Sequence, residues 1–337
     1  MGLLTPRPVA TSLDELLAGA ERREPYRPAD LRSPAPFERV WIDGRAHVLK
    51  YVHLDNDFAM RAFGDLGCLT RLAWEAGLMD VAADVIDPAI VGVASGYGRC
   101  GWGAAVLMRD VADELVPVVD MPVTEVQHLA FLDHLAALAA RLWGWHDDVG
   151  LLPYANRWAF AAAASIEAER DLGWPERVPQ LIAEGWARFW TRVPGDVRDG
   201  MRALHHDPTP LADALRSTPS TFIHGDWKFG NLGTASDGRT VLLDWAYPGE
   251  GPICHELGWY LALNRSRLPE GHTKERTIDD FRPALERHGV DTSGWWDRQL
   301  DLSLLGTVVE FGWEKALGDD AELAWWCDRA RAGLALL

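Results

Sequence analysis

The sequence predicts an α+β fold in two unequal lobes, a small β-containing N-terminal lobe and a larger, mostly helical C-terminal one. Three observations carry this. At 337 residues the chain is longer than one compact core usually holds. Residues 37–51, FERVWIDGRAHVLKY, alternate apolar and polar side chains about Asp43-Gly44, the pattern of a β-hairpin. Beyond residue 113 the apolar spacing shifts to the longer period of helices.

The elements follow in order. Residues 21–36, ERREPYRPADLRSPAP, are rich in charge and Pro and are expected as an extended surface segment. After the hairpin, Phe58, Ala62, Phe63, Leu66, Leu69, Leu72 and Ala73 lie at helical spacing and predict one helix over 57–79. Short strands are expected at 83–94 and 102–109, the second running into Met108-Arg109-Asp110. Residues 108–112 read as a hinge, which places the lobes at 1–107 and 113–337. Helices are predicted over 124–146, 156–171, 176–192 and 209–217. Short strands return at 221–224 and 240–244. Helices then fill 253–265, 273–288, 294–317 and 319–336.

Composition narrows the function. The 48% hydrophobic and 25% charged content is that of an ordinary folded protein. A formal net charge of −17 argues against nucleic-acid binding, which needs a basic face, and suits a cationic small molecule or simple solubility. No stretch approaches the apolar length of a membrane span, and the N-terminal residues lack a secretory pattern, so a cytoplasmic protein is expected. Cys68, Cys100, Cys254 and Cys327 are far apart and are expected as reduced thiols.

The chemistry concentrates in FIHGDWKFGNLG, residues 222–233. A short apolar strand is followed by His224, Asp226, Lys228 and Asn231, and a second short strand ends at Asp244. Phosphoryl transfer needs such a set. Mg²⁺ prefers hard oxygen ligands, and one carboxylate with one amide oxygen is a typical protein share. A second carboxylate orients the acceptor hydroxyl and takes its proton, while a cation offsets the charge of the moving phosphoryl group.

The spacing from Asp226 to Asn231 and on to Asp244 resembles that of the aminoglycoside phosphotransferase and choline kinase-like family, relatives of the protein kinases. The segment GEGPICHELGWYLAL, residues 249–263, is similar to the family's Gly-x-Pro and helix start, with Glu256 where Asp is usual. The resemblance implies a two-lobed protein-kinase-like fold. It implies an ATP- and Mg²⁺-dependent phosphotransferase acting on a hydroxyl of a small molecule such as an aminoglycoside, sugar or amino alcohol. By that resemblance Asp226 is the catalytic base, Asn231 and Asp244 hold Mg²⁺, and His224 braces the loop. Lys228 stands where serine/threonine kinases carry a phosphate-contacting Lys, and Glu256 supports the catalytic loop.

A kinase-like fold also places a Lys on its third strand to contact the ATP phosphates, held by a helix acid. Lys50 fits, and it is the only Lys in the first 200 residues. The acid is Asp65 or Glu75, with Asp65 favoured by the family spacing. Adenine would bond to hinge backbone around Met108 and Asp110. One departure stands out: Ser33-Pro34-Ala35-Pro36-Phe37 replaces the Gly-rich phosphate loop, and Pro supplies no N–H to a phosphate. That motivates the alternative of a catalytically silent nucleotide-binding or interaction module. Asp147, Asp148, Asp297, Asp301 and Glu310 are candidate acids for a cationic acceptor. The chain's 17 Trp residues suit aromatic packing of helices or of a ligand.

Overall fold

The structure, a computed structural model, describes residues 4–28, 35–98 and 101–337. A one-turn helix, α1 (Leu13–Leu16), precedes strands β1 (Ala20–Tyr26), β2 (Phe37–Ile42) and β3 (Arg45–Val52). Two short helices follow, α2 (Phe58–Phe63) and α3 (Leu69–Glu75), then strands β4 (Ile86–Asp87), β5 (Ile90–Tyr97) and β6 (Gly103–Arg109). Five of these strands form an antiparallel sheet in the order β1-β2-β3-β6-β5.

The predicted hairpin is β2–β3. Its turn residues Asp43 and Gly44 both take positive φ, 50° and 67°, as a two-residue turn between twisted strands requires. Alternation along β3 sends Leu49 and Tyr51 to a small core with Val40, Ala94, Ala105 and Leu107. Lys50 therefore faces the other way, on the side of Val48 and Val52, whose cluster continues into the large lobe.

Two expectations change here. The expected extended surface segment 21–36 is in part regular, because β1 pairs with β2 along the sheet edge as far as Tyr26, while 29–34 lie outside the described residues. The exposed charged side chains of β1 are what an edge strand carries. The single helix over 57–79 divides at Gly64, which ends α2 in the left-handed region at φ 70°. The apolar period runs across the break because each piece buries apolar residues of its own, Phe58, Met60 and Phe63 in α2 and Leu69, Ala73 and Trp74 in α3.

The large lobe holds α4 (Glu125–Arg141), α5 (Ala163–Asp171), α6 (Arg177–Arg192), α7 (Gly195–His206) and α8 (Thr209–Arg216). Four short strands follow: β7 (Thr221–Ile223), β8 (Leu232–Thr234), β9 (Thr240–Leu242) and β10 (Gly249–Gly251). The chain closes with α9 (Ile253–Leu263), α10 (Lys274–Arg287), α11 (Trp296–Lys315) and α12 (Asp320–Leu334). Helix α7 has no counterpart among the predicted elements. Helix α11 is buried on nearly every side, and α6, α8, α9 and α12 pack around it. Trp158, Trp227, Trp245 and Trp326 are fully buried, so core packing takes these aromatics. No helix among the described residues is long and apolar enough to cross a membrane. Cys68, Cys254 and Cys327 are free and buried, and Cys100 lies outside the described residues.

Besides the continuous chain, several contacts tie the lobes. Strand β4 pairs in parallel with β9, so a piece of the N-terminal region joins a large-lobe sheet of order β4-β9-β8. Arg61 on α2 reaches α5, donating to both oxygens of buried Glu169 at 2.6 and 2.9 Å and to Glu176 at 2.7 Å. This fork-to-fork pair is the strong form of a guanidinium–carboxylate contact.

Candidate active site

The loop 224–231 leaves β7 and enters β8, and the β8–β9 hairpin returns the chain to Asp244 beside it. The loop is held by side chains from behind. Gly225 sits at φ 86°, and a Cβ there would lie 2.4 Å from Tyr247 O, so no larger residue fits. Its N–H donates to Glu256 Oε1 at 2.6 Å. Phe229 N–H donates to Asn264 Oδ1 at 2.9 Å. Buried Arg157 fixes the segment after Asp244, donating to Tyr247 O and Glu250 O at 3.1 and 3.0 Å. Glu256 thus supports the loop as expected. Its own carboxyl is pushed up to about 7, first by burial, with the Gly225 N–H and the Arg157 charge pulling the other way.

His224 accepts from Asp226 N–H through Nδ1 at 3.2 Å and packs edge-on against Trp245. Burial lowers its pKa to about 3, so the ring is neutral.

Asp226 is 1% exposed. Its Oδ2 accepts from Lys228 Nζ at 2.7 Å and from Asn231 Nδ2 at 2.8 Å, whereas its Oδ1 has no hydrogen bond. Burial raises its pKa to about 6, with Lys228 opposing. Asn231 Nδ2 also donates to Asp226 O at 3.0 Å. Both of those partners are acceptors, so the amide nitrogen must face them and the amide oxygen points elsewhere.

Asp244 takes a left-handed φ of 58° and accepts from Lys50 Nζ at 2.7 Å. Burial would raise its carboxyl, but the Lys50 and Lys228 charges outweigh that and hold it below the ordinary value. The set Asp226, Lys228, Asn231, Asp244 and Lys50 is therefore brought together from sequence positions almost 200 apart. Its hard oxygens, one carboxylate and one amide, are the donor type Mg²⁺ prefers.

The other expected residues lie elsewhere. Asp65 is in the turn between α2 and α3, where Oδ2 accepts from Leu69 N–H at 3.0 Å. It makes no ion pair with Lys50, its Oδ1 is unpartnered, and burial pushes its pKa to about 6. Glu75 pairs with Arg71 on its own helix and is half-exposed. The acid whose charge Lys50 does feel, besides Asp244 and Asp226, is Asp57, the N-cap of α2. Sequence reasoning missed Asp57, although an Asp just ahead of an apolar helix is itself a cap signal. A second link also went unread: Thr70 Oγ1 on α3 donates to Trp245 O at 2.8 Å, joining the small lobe to the backbone beside Asp244.

Met108 is buried on β6 between Val48 and Ile90, and the Asp110 carboxylate is 3.1 Å from Arg39 Nη2. Of the stretch expected in place of a phosphate loop, Ser33 and Pro34 lie outside the described residues, and Ala35 and Pro36 precede β2. Among the proposed acceptor acids, Asp147 accepts from three N–H groups of its own loop, those of Val149, Gly150 and Leu151. Glu310 is buried in α11 and accepts from Trp259 Nε1 at 2.8 Å. Both are committed to holding the lobe. Asp148 and Asp297 are exposed, and Asp301 is half-buried.

Residues 50–289, more than half of the chain, match the phosphotransferase enzyme family. The chain belongs to that family. The small-molecule kinase read from the motif stands on this membership, and the catalytically silent alternative gains no support. Choline kinase LicA from Streptococcus pneumoniae has a similar fold, with 12% identity over 96% of each chain and a TM-score of 0.52. So does the microcompartment-associated aminopropanol kinase, with 13% identity, a TM-score of 0.51, and 96% of this chain and 94% of that one covered. At such identities the likeness is one of fold, and the fold is the two-lobed kinase-like one. No curated protein matches the chain in sequence.

Proposed function

We propose that this phosphotransferase moves the γ-phosphoryl group of ATP, with Mg²⁺, to a hydroxyl of a small molecule, with Asp226 as the base. The observation that carries the reading is the state of Asp226. One oxygen is fixed by Lys228 and Asn231, and the other, buried beside it, has no partner. An acceptor hydroxyl would donate to that free Oδ1. As its oxygen bonds to the γ-phosphorus and the bond to the β-phosphate oxygen breaks, its proton passes to Asp226. A carboxyl at about 6 is ionised at neutral pH yet basic enough to hold a proton.

Asn231 Oδ1 and Asp244 would hold Mg²⁺, which when bound offsets the charge of the nucleotide phosphates. Lys50 would turn from Asp244 toward those phosphates, and Lys228 would neutralise charge on the transferred group. Solved LicA in complex with AMP, which shares the fold at a TM-score of 0.52, supports a nucleotide in this cleft. The net charge of −17 favours a cationic acceptor. Choline and aminopropanol, the substrates named for the two similar structures, head the panel to try.

The test is Mg²⁺-dependent ADP release by the purified chain against amino alcohols, sugars and aminoglycosides. Release that depends on one acceptor class establishes the reaction and names the class. Failure with every acceptor, together with no stabilisation of the fold by ATP and Mg²⁺, would overturn the reading.

A further inference from the structure

A second polar cluster lies in the large lobe, away from the loops that carry Asp226 and Asp244. It joins His128 on α4, His272 just ahead of α10, and Asp280 on α10. One ligand-type atom from each lies within 4.8 Å of the others. His128 is fully buried and the His272 side chain is 3% exposed. Four of their polar atoms have no hydrogen bond: His128 Nε2, both ring nitrogens of His272, and Asp280 Oδ2. A buried polar atom left unpaired costs about 1–3 kcal/mol, so several facing one another point to a shared partner.

We propose that His128, His272 and Asp280 bind a divalent transition metal of the Zn²⁺ type and so pin α10 to α4. Two imidazoles and a carboxylate are ligands of that class, and they leave a fourth position for water. The orientation of His128 suits the role. Its Nδ1 is engaged with the Tyr260 hydroxyl at 2.8 Å, which turns Nε2 toward the cluster in the manner of an outer hydrogen bond behind a metal-bound imidazole. Ligand atoms around a tetrahedral zinc are about 3.3 Å apart, given bonds of about 2.0–2.1 Å. The cluster must therefore contract, and His272, whose ring is held by no hydrogen bond, is the piece that moves. Arg276 is the opposing charge, 3.8 Å from Asp280 Oδ2, but it is already engaged by Glu125 at 2.8 Å. The metal would act on stability, and its outer partner Tyr260 also packs edge-on against Phe229 of the catalytic loop.

The experiment uses the full, untagged chain, stripped with chelator and dialysed against Zn²⁺, with metal counted by elemental analysis and unfolding followed by temperature. Co²⁺ serves as the spectroscopic probe. Wild type should retain one equivalent of Zn²⁺, gain thermal stability, and give the visible absorption of four-coordinate Co²⁺. His272→Ala and Asp280→Asn should lose all three, and both keep the buried His128 should that residue be needed for folding. Tyr260→Phe should bind roughly 10- to 100-fold more weakly. Asp244→Ala, which alters the cleft, should leave the stoichiometry unchanged. No uptake by wild type, equal uptake by His272→Ala, or uptake lost only in Asp244→Ala would each overturn the site.

Discussion

The loops that carry Asp226 and Asp244 meet at one site and hold their carboxylates in opposite ways. Asp226 is sealed, and burial dominates, so its pKa rises to about 6 although Lys228 is in contact. About a third of the Asp244 side chain remains open, and two lysine charges overcome burial, so its pKa falls. One residue type thus sits in two opposite electrostatic settings. A carboxyl poised near neutrality suits proton transfer, and one kept ionised suits a cation.

The largest expected effect breaks the first half of that comparison. Asp226→Ala should lower acceptor-dependent turnover by about 100-fold or more while nucleotide binding, measured by calorimetry, survives. Asp244→Ala should do the converse. Mg²⁺-dependent nucleotide binding should vanish in a thermal-shift assay, because the ligand goes and the Lys50 charge is left unpaired. Lys50→Ala should cost about 10²–10³ in kcat/KM, the magnitude of one lost electrostatic contact at a reacting centre.

The pH profile sharpens the contrast. Asp226 acts ionised, so kcat/KM should fall about tenfold per unit below pH 6 and level off above it. Lys228→Ala removes a charge that lowers the Asp226 pKa, so the limb should move to higher pH. A limb that stays in place would separate Asp226 from the titration.

Glu256 offers a smaller effect. Its folded pKa, about 7, lies above its ordinary value. Its neutral form favours the fold at low pH, and that contribution disappears as pH rises through 7. Glu256→Gln should therefore match wild type in stability near pH 5 and exceed it by about 1–3 kcal/mol at pH 8. Thr70→Val, which deletes one hydrogen bond to Trp245 O, should cost about 1 kcal/mol.

What the sequence discloses and what it hides divide along the range of the interactions. The β2–β3 hairpin and the run from His224 to Asn231 are local. Turn residues, alternation and fixed spacing state them within a few positions, and Lys50 falls on the cleft side of β3 by alternation alone. Family spacing favours Asp65 as the partner of Lys50, but the ion pair of Lys50 is with Asp244. Gly64 ends α2, and Asp65 accepts from the Leu69 N–H at the start of α3. Gly64 and Gly67 mark the break in the sequence, although the apolar period runs on across them. Arg157, Asn264 and Thr70 reach the catalytic loops across 35 to 175 residues. Nothing in their own neighbourhoods marks them, since each is an ordinary polar residue until the fold brings it to a backbone group in need of a partner.

The pairs Lys50–Asp244 and Lys228–Asp226 have a practical consequence for labelling chemistry. The chain contains only four lysines. Lys274 is bound to Glu322 with its side chain 14% exposed, and Lys315 is buried against Ala262 O. Lys228, a third exposed, is the most open of the four, and Lys50 belongs to the same cleft. A mild acylating reagent therefore has few amines to find, and its foremost side-chain target is in the catalytic loop. Mass-spectrometric acylation at Lys228 and Lys50 becomes an occupancy meter for the cleft, readable before any acceptor has been identified.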